Sequence, residues 1–214
     1  MHNSGEIAEA NDTSILHRLI FFSDAVFAIV LTLLVLELRP PDAHTRTELA
    51  AGLRALTPHL MSFVLTFAVV SIFWAAHMSY TRRLAVFDWL TAWFNLLLLF
   101  TIALLPFASA LLGEHGDQGL AWQVYCGVLV AASLAQTAVW LSLSRGKGRL
   151  IGGVTGRERA NRTIRGLSPA IAFGAGYASL MAGRGDLVIW CWALIPVIML
   201  LAGVLFGERR PRPA

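Results

Sequence analysis

Long apolar runs alternate along this chain with short polar connections that carry most of its arginines. A helix needs about 20 predominantly apolar residues to cross the hydrocarbon core of a bilayer. Six segments have that character, at 18–38, 59–80, 88–112, 120–144, 166–183 and 186–207. The pattern predicts an all-α integral membrane protein with six transmembrane helices over 18–207. A polar segment, 1–17, precedes them and a short tail, 208–214, follows. Pro40 and Pro41 stop the first helix, and Pro58 opens the second, where a missing backbone N–H is tolerated. Gly113, Gly116 and Gly119 punctuate the turn between the third and fourth. The first apolar run is too long for a signal-peptide core and no small-residue cleavage site follows it, so it is expected to be retained.

Composition supports the membrane reading. Of the 214 residues, 57% are hydrophobic and 14% charged, against about 25% charged in a soluble domain. The net charge of +4 does not point to nucleic acid, because the charges sit between the apolar runs. Their positions set an orientation instead. Arg39, Arg46, Arg54 and Arg184 fall on one side, which leaves 13 of the 17 Lys and Arg on the side of the N-terminus. Both termini are therefore expected in the cytoplasm. The basic loop 145–165 either fixes this topology alone or also holds anionic lipid head groups. Two glycosylation-type triplets, at Asn11 and Asn161, are discounted because they lie on the cytoplasmic side. Cys126 and Cys191 fall inside apolar runs and read as packing residues. No zinc-ligand spacing, nucleophile elbow or dinucleotide fingerprint is present, so neither an enzyme nor a cofactor is expected. The fifth helix repeats small residues at Gly166, Ala170, Gly174, Ala178 and Ala182, a pattern that lets another backbone approach.

Within the first span, polar residues interrupt an otherwise apolar helix. Each residue turns about 100°, so Phe22, Thr32, Leu33 and Leu36 share the face of Ile29, and Arg18 returns to it at the cytoplasmic end. Asp24 lies about 140° away by the same arithmetic. Periodicity cannot tell which face meets lipid, since the helix is apolar nearly all round. Thr32 has a bland reading, a hydroxyl bonded to its own helix. Asp24 is costly at depth and needs a partner. Arg18, Trp74 and His77 are all within reach, the last two sharing one face of the second helix. The pair is either a polar clamp between helices or a proton-sensitive site. Asn95 on the third helix reads as interhelical glue, and Pro106 as a kink.

Arg18-x-x-x-Phe22-Ser23-Asp24 fits the R-x-x-x-F-S-D signature of the transmembrane protein 175 family. The text after the motif, Trp74-x-x-His77 and the stretch 93–107 are also similar to that family; the fourth to sixth helices match only in character. The resemblance implies a potassium-selective channel, with potassium as permeant ion, in a bacterial cell membrane. It implies a homotetramer whose central pore is lined by the first helix of each subunit, without a carbonyl-type filter. Carried over by position, Ile29, Leu33 and Leu36 form the apolar constriction and Thr32 contributes to selectivity. Arg18, Phe22, Ser23 and Asp24, with Trp74, His77 and Asn95, belong to the motif and the network that holds the first helix. The alternative is a proton-conducting pore or proton-coupled carrier that uses Asp24 and His77.

Overall fold

The computed structural model describes residues 3–206, all helix and connection, with no strand among them. The predicted tail, with Arg209, Arg210 and Arg212, lies outside the described residues. Helix α1 spans Asn3–Leu33 and continues as a 3-10 turn over Leu34–Glu37. It starts well before residue 18, because nothing in the polar segment breaks a helix already nucleated downstream. A short helix, α2 (Arg46–Ala55), follows Pro40–Pro41. It opens on a capping box in which the Thr45 hydroxyl accepts from the Glu48 N–H and Glu48 accepts from the Thr45 N–H. No residue of α2 is buried. Helix α3 (Thr57–Thr81) has Pro58 in its first turn, as expected.

The third predicted span is two helices, α4 (Trp89–Ala103) and α5 (Leu105–His115). Pro106 lacks a donor and its ring crowds the carbonyl four residues back, so the ladder breaks at Leu104. Helix α6 (Gly119–Leu143) is uninterrupted. Helix α7 (Gly156–Met181) contains Pro169 and stays continuous. The Arg165 carbonyl that Pro169 cannot serve accepts instead from the Ser168 hydroxyl at 2.9 Å. The last predicted span is divided into α8 (Val188–Trp192) and α9 (Leu194–Phe206), the break lying three residues ahead of Pro196.

Among the described residues, five helical segments are long and apolar enough to cross a membrane: Thr13–Glu37, Thr57–Thr81, Trp89–His115, Gly119–Leu143 and Gly185–Phe206. The predicted span 166–183 is helical, but α7 is not apolar enough to count among them. Four arginines crowd its first half, and Gly, Ala and Ser dilute its second. It lies along α6, with α8 and α9 packed on it. Its packing face is Ser168, Ala172, Phe173 and Gly176 rather than the predicted small-residue stripe. Of that stripe's two glycines, Gly166 backs tightly onto a neighbour, where a Cβ would lie 2.9 Å from the Thr137 hydroxyl, and Gly174 does not. The core runs between α4, α5 and α6, where Leu98, Ile102, Leu105, Tyr125 and Leu129 are fully buried.

The basic loop is tied to the α3–α4 connection. Positive φ at Gly146, Lys147, Gly148, Gly152 and Gly153 lets the chain double back compactly. Ala85 donates its N–H to the Leu150 carbonyl at 2.8 Å, and Arg83 pairs with Glu158. Asp88, one residue before the span Trp89–His115, caps α4. It accepts from the Thr91 N–H and hydroxyl at 2.9 and 2.7 Å and from Arg145 at 2.9 Å. Burial opposes ionisation of Asp88, but Thr91 and Arg145 outweigh it and hold the carboxyl below the usual carboxylate range. The carboxylate's contribution is therefore complete above the ordinary value and is lost as pH falls through the lowered one. Asp88→Ala is expected to cost about 1 kcal/mol, the worth of an N-cap, read as a lower melting temperature in detergent at pH 7. The gap to wild type should hold down to pH 5 and close in strong acid.

Candidate functional site

The structure resolves which face of α1 is spoken for. Leu16, Ser23, Phe27, Val30 and Leu34 are buried. Their spacing of seven, four, three and four is one face of a helix, and that face lies against α3 and α4. On the other side Arg18, Phe22, Ile29, Thr32, Leu33 and Leu36 are all exposed in the single chain, Ile29 by 56% and Leu36 by 67%. Leu36 lies within the 3-10 turn, where side chains three apart eclipse, so it stays in line with Leu33. Thr32 donates its hydroxyl proton to the Ile29 carbonyl at 2.7 Å, which leaves its oxygen lone pairs facing outward.

Two hydrogen-bonded contacts pin the opposite side. Asn95 on α4 donates to the Ser23 hydroxyl at 2.8 Å, and Ser23 donates to the Leu19 carbonyl at 2.8 Å. The Asn95 carbonyl oxygen lies 2.7 Å from His77 Nε2. An amide oxygen only accepts, so His77 carries its proton on Nε2. The His77 ring packs between Phe27 and Tyr80, at centroid distances of 5.6 and 5.4 Å. At the edge of the same face, Trp74 Nε1 donates to Asp24 Oδ1 at 3.0 Å. Thus Trp74 is the hydrogen-bond partner of Asp24, whereas His77 bonds Asn95. Arg18 and Phe22 lie on the outward face, and Arg18 forms no salt bridge among the described residues.

Five of the motif and network residues therefore come together: Ser23, Asp24, Trp74, His77 and Asn95. Two of the motif residues, Arg18 and Phe22, share the outward face with Ile29, Thr32, Leu33 and Leu36. A second buried polar cluster had escaped sequence reasoning. Thr66 on α3 bonds Ser109 on α5 and Tyr125 on α6, each at 3.0 Å. Its signal was available, since hydroxyls inside three apolar runs need partners in lipid. Among the described residues no group of His, Cys, Asp and Glu is arranged to hold a metal ion.

An all-helical bundle with five helical segments long and apolar enough to cross a bilayer among the described residues is that of a multi-pass membrane protein. The profile of the endosomal/lysosomal potassium channel TMEM175 matches residues 18–106. A protein named a potassium channel from Streptomyces collinus is 36% identical over 128 residues, covering 58% of this chain and 62% of that one. A potassium channel from Chamaesiphon minutus is 34% identical over 140 residues, covering 63% and 68%. The matched stretch thus spans about two thirds of these relatives' lengths. The endosomal/lysosomal proton channel TMEM175 of Danio rerio is 29% identical over 130 residues, covering 58% of this chain but 24% of its own. In three dimensions the chain resembles the crystal structure of a lysosomal potassium-selective channel TMEM175 homolog from Chamaesiphon minutus. The TM-score is 0.58 at 26% identity, over 91% of this chain and 97% of that one. The chain belongs to the TMEM175 family, a family of ion channels and not of enzymes.

Asn95 is the hub of the buried network. Replacing it by Ala strips the partner from His77 Nε2 and from Ser23 together. Asn95→Ala is expected to lower stability by about 1–3 kcal/mol, read as earlier thermal unfolding in detergent. Ser23→Ala, which removes only one partner of Asn95, should cost less.

Proposed function

We propose that the chain is one subunit of a potassium-selective channel, a homotetramer in which the outward face of α1 from each subunit lines a central pore. The observation that carries this reading is the bare stripe from Phe22 to Leu36, opposite a face fixed by buried hydrogen bonds. Bacterial relatives named potassium channels support the choice of ion. Ile29, Leu33 and Leu36 make the constriction. Apolar rings of this kind gate by dewetting and open when the neck widens. Thr32, one turn inside Ile29, offers lone pairs to a cation that has shed part of its water. Potassium loses water more readily than sodium, so a neck and a hydroxyl ring favour it without a carbonyl filter. Ser23, Asp24, Trp74, His77 and Asn95 hold α1 at the angle that presents this face. Both termini lie in the cytoplasm of a bacterial cell, and the basic loop 145–165 faces anionic head groups there.

A second reading is kept because animal relatives are named proton channels. In it Asp24 and His77 carry protons.

Flux in liposomes separates the two. Ile29→Asn should raise potassium flux about tenfold, as a barrier lowered by about 1.4 kcal/mol would. Thr32→Ala should lower the potassium-to-sodium permeability ratio about fivefold, the loss of about 1 kcal/mol of hydroxyl interaction. Unchanged values for both would remove these residues from the ion path. Proton flux that vanished in Asp24→Asn and His77→Gln while potassium flux stayed intact would favour the second reading.

A further inference from the structure

A cavity of about 650 Å³ opens between α3, α6, α7 and α9, away from the α1 face. Its lining divides by chemistry. Ile72, Ile195, Met199 and Phe206 make an apolar trough, with Ile72 at its exposed edge. Glu158, Arg162 and Arg165, all on α7, supply the lining's charge. Glu158 is already shared between Arg83 and Arg162, the latter at 3.2 Å. One carboxylate is thus shared by two guanidiniums, and Arg165 lies further along α7 without a carboxylate among the described residues. Arg162 also lies over the Trp140 ring at 5.1 Å and points Nη1 at the Ser79 hydroxyl, 3.4 Å away. Arg165 is exposed and forms no salt bridge among the described residues.

Three polar atoms in the lining are buried without a partner: the Tyr80 hydroxyl, Gln136 Oε1 and Asn161 Oδ1. An orphaned acceptor at this depth is costly, and two amide acceptors beside a phenol call for donors from a ligand. The excess positive charge calls for an anion, and the trough calls for a hydrocarbon chain. A free anion would leave the trough unfilled, and a fatty acid would leave the amide acceptors unserved.

We propose that this cavity binds one anionic phospholipid with a hydroxylated head group. Its phosphate sits on Arg162 and Arg165, its hydroxyls donate to Gln136 and Asn161, and a chain lies along Met199 and Ile195. The leaflet, the cytoplasmic one, rests on the orientation given under Proposed function. Binding in detergent reads the cavity alone, so failure of that orientation and failure of the site are separately visible.

The test is native mass spectrometry of the purified full-length protein, delipidated and titrated with phosphatidylglycerol, phosphatidylcholine or inorganic phosphate. Wild type should take phosphatidylglycerol about thirtyfold more tightly than phosphatidylcholine, at about 1 kcal/mol for each arginine near an anionic head group. The double variant Arg162→Gln/Arg165→Gln should lose that preference. Ala76→Phe, which fills the cavity, should take up neither lipid at this site. Equal binding of the two lipids by wild type, or a preference that survives the double variant, would overturn the proposal. So would inorganic phosphate competing as well as the lipid, which would leave an anion site only. Should a variant fail to fold, a phosphatidylglycerol with a photoreactive acyl chain decides on wild type. Label on the peptide holding Ile195 and Met199 supports the site, and label confined to other peptides rejects it.

Discussion

Hydrocarbon offers no hydrogen bonds, so every polar side chain at depth must find its partner within the protein. That constraint fixes α1. Ser23 and Asp24 are turned toward α3 and α4, where Asn95 and Trp74 donate to them. Once they are turned inward, the 100° step of the helix leaves Ile29, Thr32, Leu33 and Leu36 no choice but to face out. Ser23 and Asp24 thus act at a distance from the stripe they orient. The carboxylate that stands out in the sequence is a fastener between helices, and the blander residues beyond it make the exposed face.

The same rule shapes the rest of the bundle. Thr66, Ser109 and Tyr125 satisfy one another across three helices. Ser168 takes over the carbonyl that Pro169 strands. Outside the spans, Asp88 and Arg145 tie the end of α6 to the start of α4. The cavity beside Trp140 gathers three of the buried polar atoms for which the rule goes unmet, and the lipid proposed there would complete it.

Much of this was legible in the sequence, and the failures have causes. Apolar runs located the helices, because length and hydropathy dominate in a bilayer. The T-x-x-E box at Thr45–Glu48 signalled α2, but a search for apolar runs passes over a short polar surface helix. Pro106 was read as a kink, whereas Pro196 went unremarked although the same steric clash breaks the helix ahead of it. The span 166–183 reads as apolar from its Ala, Ile and Phe, yet its Gly, Ser and Ala dilute it and four arginines precede it in the same helix, so α7 is less apolar than the other spans. The two faces of α1 came from helical arithmetic, but which one was buried did not, because apolar side chains on both give no contrast. The partner of Asp24 also needed three dimensions. Trp74 and His77 are a turn apart, and only the packing of Asn95 against His77 assigns Trp74 to the carboxylate. Tyr80, Gln136 and Asn161 lie too far apart in sequence for their meeting in one cavity to be read from it.

The central claim is that the exposed stripe of α1 meets the ion path. Single cysteines along α1, in a background with Cys126 and Cys191 replaced by Ala, test it most directly. A small water-soluble thiol reagent should block potassium current through channels carrying cysteine at Ile29, Leu33 or Leu36 and leave those with cysteine at Phe27 or Val30 conducting. Block at Phe27 and Val30 with none at Ile29, Leu33 and Leu36 would place the path on the other face and contradict the account.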